Sequence, residues 1–412
     1  MQECNATIPS IQPITATDGQ AVHALYLHVP FCFHKCHYCD FFSLVEPKGR
    51  PDRQTAFTRA LIAELEHAKA HYRLDPQTLF IGGGTPTLLR TTLWMDLLSA
   101  IRRLGILDTV REFTVEANPE TVTPELAHVL AEGGVNRVSM GAQSFNPQHL
   151  KTLERWHDPD TVPRAVACLR EAGINNLNLD LIFAIPGQSL DDLDRDLNHA
   201  LALDPTHLSC YSLIFEPNTP LTQKMKLGRI SPVGEELERI MYERVMDRLD
   251  EAGYEHYEIS NWAKRVSGIA SPQMDAINPP TQPDTRCLHN LAYWHNRNWL
   301  GLGPSAASHI NGKRWKNEPH LGRYIDHAPT PPTCDHEHLP ERQRLGEQIM
   351  LGLRLRQGLP KSWVHEHIQI DDPRHAVIRE LIDLGMLEYT PTHLRLSRQG
   401  LFLADSVIAK LL

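Results

Sequence analysis

The sequence predicts an α/β protein: a curved sheet of parallel strands shielded by crossover helices, followed by a smaller α+β module. Three observations carry that prediction. Strand-like apolar runs alternate with amphipathic helical patterns six times between residues 25 and 213, and each run ends in a turn rich in Gly, Pro or Asn. A chain of 412 residues with 41% hydrophobic and 22% charged side chains is ordinary for a globular protein, and long enough for one large core and a small second one. Parallel neighbours need crossover connections, which the helical patterns supply. Eight alternations would suggest a complete barrel; this sequence has six.

The elements follow in order. Residues 1–22 are polar and rich in Pro and Thr, and read as a flexible lead. Leu25, Leu27 and Val29 alternate with Tyr26 and His28, and Pro30 ends this first strand. A Pro- and Gly-containing link at 46–51 leads to a helix with Phe57, Leu61, Ile62 and Leu65 on one face. The second strand, 78–81, runs into Gly82-Gly83-Gly84-Thr85-Pro86, and Leu93, Met95, Leu97, Leu98 and Ile101 mark its helix. Strands at 113–117, 137–140, 176–183 and 207–213 follow, with helices at 124–132, 162–172 and 190–203 between them. A long amphipathic helix is predicted over 225–250 and a strand over 254–260. The domains expected are the lead, the barrel with its following helix and strand at 23–262, a Pro-rich mobile insertion at 263–287, a connecting segment at 288–338 and a final module at 339–412. Two helices and a hairpin over 386–397 make that module winged-helix-like.

A net charge of −9 argues against non-specific binding to nucleic acid, and the winged-helix pattern carries no strong basic run, so a packing or lid role is expected for it. No apolar run reaches the length of a transmembrane span, and the first residues lack the basic start and apolar core of a signal peptide, so the expected location is the cytoplasm, with any membrane contact peripheral. Eight cysteines without framework spacing fit a reducing compartment where thiols can hold metal.

Cys32, Cys36 and Cys39, spaced C-x-x-x-C-x-x-C just past the first strand, can point three thiolates at one centre. Three thiolates on a four-iron cluster leave one iron open, and an open position is what chemistry requires. A zinc site completed by His34 or His37 is the bland alternative. Gly82, Gly83 and Gly84 at the second strand's end free backbone N–H groups for a ligand, although a tight turn has the same composition. Glu116, Gln143, Arg155 and Asp180 stand at or beyond apolar strands, where carboxylates suit ribose hydroxyls and an arginine suits a ligand carboxylate; singly, each also reads as a capped or salt-bridged surface group. His289 with Tyr293 and Trp294 offers a nitrogen for haem iron and flat faces for a porphyrin, or else a core aromatic pair beside a hydrogen-bonded histidine.

The cysteine loop with its flanks YLHVPFC and HYCDFF resembles the radical SAM superfamily, in the branch of oxygen-independent coproporphyrinogen oxidases and HemW-type haem chaperones. The resemblance runs from about residue 24 to the C-terminus, without the insertion. It implies a partial (βα)6 barrel and a 4Fe-4S cluster on Cys32, Cys36 and Cys39, whose open iron is chelated by S-adenosylmethionine. By the same resemblance Tyr26, Gly83 and Glu116 contact that molecule, while Tyr38, Gly84, Thr85, Gln143, Arg155, Asp180 and Ile214 line the neighbouring position that holds a second molecule in the oxidase. The stretch H-N-x-x-Y-W, with His289, Asn290, Tyr293 and Trp294, resembles the motif associated with haem binding in HemW-type chaperones. Two departures stand out: Ala184 where the family commonly has glycine, and Pro304 in GLGPSA.

Three functions follow from this. The first is a haem chaperone that passes haem to an acceptor such as a respiratory protein; the second is coproporphyrinogen dehydrogenase; the third, a nucleic-acid modifier, is disfavoured by the acidic charge. The short polar lead, and Asp40 where the oxidase loop continues into a further cysteine, favour the first and lead us to expect no porphyrinogen dehydrogenation.

Overall fold

The computed structural model describes residues 21–45, 52–265 and 284–412. The link at 46–51 and most of the lead and the insertion lie outside them. Strands β1 (Val22–Val29), β2 (Leu74–Gly83), β3 (Glu112–Ala117), β4 (Arg137–Gln143), β5 (Asn176–Phe183) and β6 (His207–Ser212) pair in sequence order, all parallel. The helices between them are α1 (Arg53–His71), α2 (Thr91–Arg103), α3 (Pro124–Glu132), α4 (Pro147–Leu153), α5 (Thr161–Glu171) and α6 (Leu190–Ala202).

The outer face of the sheet explains why these segments fold as they do. Leu25, Leu27 and Val29 of β1 are wholly buried, as are Phe57, Leu61 and Leu65 of α1, so strand and helix bury each other's apolar stripe. In α2 the inward face is Leu93, Trp94, Leu97, Leu98 and Ile101; Met95, expected among them, points to solvent. Asp52, Thr123 and Ser189 cap α1, α3 and α6, the last in a full capping box with Asp192.

The long helix expected over 225–250 is two helices, α7 (Pro220–Lys226) and α8 (Glu235–Glu251). Gly228 at φ +66° and Pro232 interrupt the pattern, the first by a left-handed turn and the second by lacking an N–H donor. Beyond α8 the chain extends both edges of the sheet. Strands β7 (Tyr254–Glu258) and β8 (Asn261–Lys264) add an antiparallel pair beside β6, so Ala263 and Lys264 at the start of the expected insertion are strand residues. After α9 (Leu288–Trp294), β9 (Trp299–Leu302) pairs parallel to β1, and β10 (Ala307–Ile310), β11 (Lys313–Asn317) and β12 (Thr333–His338) complete a twelve-stranded sheet in the order β12-β11-β10-β9-β1-β2-β3-β4-β5-β6-β8-β7. The helix α10 (Leu321–Asp326) lies between the last two strands.

The C-terminal module has α11 (Glu341–Arg354), α12 (Lys361–His367), α13 (Pro373–Asp383) and a hairpin of β13 (Leu387–Tyr389) and β14 (His393–Leu396), the order of a winged helix, with two short closing helices. It is fastened to the barrel by polar groups. Glu347 of α11 accepts from Asn296 Nδ2 and pairs with Arg314, Arg354 lies over the Trp294 ring, and Arg356 N donates to the Tyr257 carbonyl.

Candidate functional site

Alternate residues of parallel strands face one side, and in this sheet the inner side is polar. Tyr26 and His28 of β1, Thr78 of β2, Glu112 and Glu116 of β3, Arg137 and Ser139 of β4, Asn178 and Asp180 of β5, and His207 and Ser209 of β6 follow this period of two. The hydrogen-bond register sets Glu116, Ser139, Asn178 and His207 side by side. They bond to one another across strands: Asn178 Nδ2 donates to Ser139 Oγ (2.8 Å) and to Asp180 Oδ1 (2.7 Å), and His207 bonds Asn178 Oδ1 at 2.6 Å and the Tyr257 hydroxyl at 2.8 Å. The sheet therefore encloses a polar lumen.

At the strands' C-terminal ends the triple glycine wraps the cysteine loop. Gly84 N donates to Val29 O and Thr85 N to Phe31 O, and a Cβ on Gly84 would stand 2.6 Å from Phe31 O and 3.0 Å from Cys32 Sγ. Gly83 has φ +117°, and a Cβ there would meet the His28 ring at 2.7 Å, so both backbone and space demand glycine. His28 Nε2 donates to Phe42 O at 2.8 Å, which leaves Nδ1 to accept from the Tyr26 hydroxyl at 3.0 Å. Burial holds His28 neutral, with a pKa of about 4. Gly83 N donates to Glu116 Oε2 at 2.9 Å, and burial raises that carboxyl to about 7.

The third cysteine-loop wall comes from β3, β4 and the turn after α4. Arg155 donates to Asn118 Oδ1 (2.8 Å) and Gly141 O (2.7 Å) and reaches toward Cys36 Sγ (3.7 Å), while Asn118 Nδ2 donates to Thr85 Oγ1, itself 3.6 Å from Cys32 Sγ. Arg155 Nε is buried with no partner among the described residues, as suits a guanidinium awaiting an anionic ligand. Gln143 (φ 62°) and Ala184 (φ 59°) hold left-handed conformations at their strand ends, so alanine stands at 184 in a conformation that glycine adopts without strain. Among the described residues no three His, Cys, Asp or Glu side chains converge tightly enough for a single metal ion. The three thiols are nevertheless electrostatic neighbours, since Cys36 and Cys32 both act on Cys39. In a polynuclear cluster each thiolate takes its own iron, whereas a zinc ion holds all its sulfurs about 2.3 Å away.

The residues expected near S-adenosylmethionine stand on β1 to β5 or in the segments that follow the barrel strands. Tyr26, Gly83 and Glu116 form one contiguous group through His28; Arg155 joins Gly84 and Thr85 through Asn118; Tyr38 packs with Leu153, Ile182 and Ile185; Ile214 is exposed at the rim. Asp180 lies inside β5 rather than at its end and is engaged by Asn178 and Ser139.

At the opposite end of the lumen α9 forms a plug. Glu112, at the start of β3, accepts from Leu288 N (2.8 Å) and His289 N (3.0 Å), fixing the helix N-terminus. His289 is buried beneath Phe80, with ring centroids 5.0 Å apart, and 6.4 Å from the Tyr26 ring. Its Nδ1 bonds Thr78 Oγ1 at 2.8 Å and its Nε2 the Tyr293 hydroxyl at 2.9 Å; burial lowers its pKa to about 3. Both nitrogens are engaged as folded, Nδ1 by Thr78 of β2 and Nε2 by Tyr293 of the same helix, so a ligand taking either nitrogen displaces a hydroxyl. Asn290 and Trp294 are half-buried, and Trp294 packs against the group of Tyr257, Ala263, Leu291 and Leu355. Sequence reasoning missed Thr78, Glu112, Arg137, Asn178 and His207. Their signal was polar residues recurring at every second position of strands otherwise apolar.

Comparison with known proteins follows the same division. Residues 26–200 match the radical SAM superfamily, and residues 339–403 the HemN C-terminal domain. The chain is 33% identical to the haem chaperone HemW of Lactococcus lactis, over 95% of this chain and 98% of that one. It is 36% identical to HemW of Mycobacterium tuberculosis (98% and 97%) and 35% identical to HemW of Bacillus subtilis (94% and 98%). Among solved structures, coproporphyrinogen III oxidase (HemN) from Escherichia coli, a radical SAM enzyme, superposes with a TM-score of 0.77 over 95% of this chain and 90% of that one, at 20% identity. That likeness is one of fold.

Proposed function

Because the chain belongs to the HemW family of the radical SAM superfamily, we propose that it is a haem chaperone, which takes up haem and passes it to an acceptor protein, for example a respiratory one. The observation that carries the reading is identity of a third or more to haem chaperones along nearly the full length of both chains. The chain works in the cytoplasm on this reading; among the described residues no helix is long and apolar enough to cross a membrane, so any membrane contact is peripheral.

Cys32, Cys36 and Cys39 hold the 4Fe-4S cluster that the superfamily implies. When bound, it offers S-adenosylmethionine an open iron and a source of single electrons. The chain's own residues bind and orient. Glu116 accepts from Gly83 N and presents its remaining oxygen to the lumen; His28 fixes the Tyr26 ring; Arg155, braced by Asn118 and Gly141, directs its unpartnered Nε to an anionic group. Tyr38, Gly84, Thr85, Gln143, Asp180 and Ile214 line the adjoining space.

Haem is assigned to the segment of His289, Asn290, Tyr293 and Trp294. Since His289 is bonded to Thr78 of β2 and, within α9, to Tyr293, ligation by it replaces one of those two bonds. The test is anaerobic titration of the cluster-loaded protein with haem. Wild type is expected to give a stoichiometric Soret band, and His289→Ala to lose or shift that band while keeping the cluster absorption. An unaltered Soret spectrum in the variant moves the iron ligand elsewhere.

A further inference from the structure

The side of α9 away from the lumen borders a second space. Leu291 lies on a cleft of about 650 Å3 between the base of the barrel and the C-terminal module, within the range of about 300–1,000 Å3 usual for small-molecule sites. Leu355 continues its apolar wall, and five arginines line the rest: Arg265, Arg286, Arg356, Arg395 and Arg398. Four are neutralised, Arg265 by Asp250, Arg286 by Asp284 (2.6 Å), Arg395 by Glu388 (2.8 Å) and Arg398 by Asp247 (2.6 Å). Arg356 differs from them. Among the described residues it has no carboxylate within 4.0 Å, and its guanidinium makes one hydrogen bond, to the Leu396 carbonyl at 3.2 Å. The other acid of the lining, Glu255, acts on Arg286.

A guanidinium with no carboxylate paired to it, beside other guanidiniums, is favourable to an anion. Burial and then Arg395 weigh against its charge, with Tyr242 and the more distant Glu388 acting in its favour. Arg356 is also held in place, because its own backbone N–H bonds the Tyr257 carbonyl and ties the module to the barrel edge. A planar guanidinium matches a carboxylate in two-point geometry. The cleft thus joins an apolar wall, contributed partly by the α9 segment, to a cationic end.

We propose that this cleft seats the propionate edge of the haem, with Arg356 binding a carboxylate while Leu291 and Leu355 meet the macrocycle. The inference rests on the haem-carrier reading and adds to it a site outside the barrel. The experiment compares wild type, Arg356→Gln and Arg356→Lys, each carrying its cluster, in titrations with haem and with haem dimethyl ester, whose propionates bear no charge. Arg356→Gln is expected to weaken haem binding about 10- to 100-fold, the worth of one charge-assisted hydrogen bond, with Arg356→Lys intermediate. The ester is expected to bind wild type and Arg356→Gln equally. An unchanged haem affinity in Arg356→Gln, with wild type binding haem normally and the cluster spectrum retained, overturns the site but leaves the carrier reading intact. Equal loss of haem and ester points to a packing role and also overturns it. No haem binding by wild type overturns both.

Discussion

Replacing Gly83 with alanine puts a methyl group where the His28 ring already stands. The backbone there has φ +117°, a region that side chains rarely adopt, and the cost of holding a non-glycine residue in it is about 1–3 kcal/mol. The added Cβ would lie 2.7 Å from the ring, and overpacking of this kind costs about 1–3 kcal/mol. His28 has nowhere to retreat, because one nitrogen is bonded to Phe42 O and the other to the Tyr26 hydroxyl. The sum is a loss of roughly 2–6 kcal/mol, a large part of the stability of about 5–15 kcal/mol typical of a folded domain. Gly187 provides the control: its φ is +83°, and a Cβ there meets nothing within 4 Å, so Gly187→Ala incurs the backbone cost alone. Urea unfolding of the three proteins separates the two contributions. Adding His28→Ala to Gly83→Ala should recover the packing part, with a coupling of about 1–3 kcal/mol. If Gly83→Ala costs no more than Gly187→Ala, or the double variant recovers nothing, the proposed fit of glycine to imidazole is wrong.

Three further outcomes are expected. Replacing any one of Cys32, Cys36 and Cys39 by alanine should abolish the 4Fe-4S absorption after anaerobic reconstitution, and about four irons per chain retained in the triple variant would contradict the ligand assignment. His28 has its folded pKa lowered from 6.5 to about 4 by burial, so the unfolded chain takes up the proton first as the pH falls. The stability it contributes is present above 6.5 and is lost progressively down to about 4; the gap between wild type and His28→Asn should shrink by about 1.5 kcal/mol from pH 6.5 to 5. Anaerobic incubation with coproporphyrinogen III, S-adenosylmethionine and a reductant should yield no protoporphyrinogen by chromatography, whereas multiple turnovers would promote the oxidase reading.

The parallel strands and their helices were legible because each buries a continuous apolar face. Leu25, Leu27 and Val29 on β1 and Phe57, Leu61 and Leu65 on α1 are visible as local patterns and are buried together. The cysteine loop and the glycines were legible for another reason: their spacing is itself the chemical requirement. Strands β9 to β12 were not, since they are short, and the parallel pairing of β9 with β1 joins residues that lie far apart in the chain. The break between α7 and α8, residues 227–234, carries its signal in Gly228 and Pro232, which the apolar pattern on either side masked. Glu112 drew no expectation, since it stands just before the strand predicted at 113–117; only the tertiary structure shows it capping a helix that begins at residue 288.

The placement of α9 also constrains where a large flat cargo can go. His289 and Tyr293 close the base of the lumen under Phe80 and Tyr26, and the inner walls above them are linked by side-chain hydrogen bonds from Ser139 through Asn178 to His207. On the carrier reading, and with the cleft beside Arg356 as the haem site, cofactor and cargo approach the same helix from different sides. Contacts run without a gap from the cysteine loop to that helix: Gly84 against Cys32, Gly83 against His28, the His28 bond to Tyr26, and the Tyr26 ring beside His289. Such a chain carries coupling only if an element along it has two arrangements that the ligands distinguish. The hold of Glu112 and Thr78 on α9 is that element on the carrier reading. Whatever factor S-adenosylmethionine changes haem affinity by through it, haem must by linkage change S-adenosylmethionine affinity by the same factor.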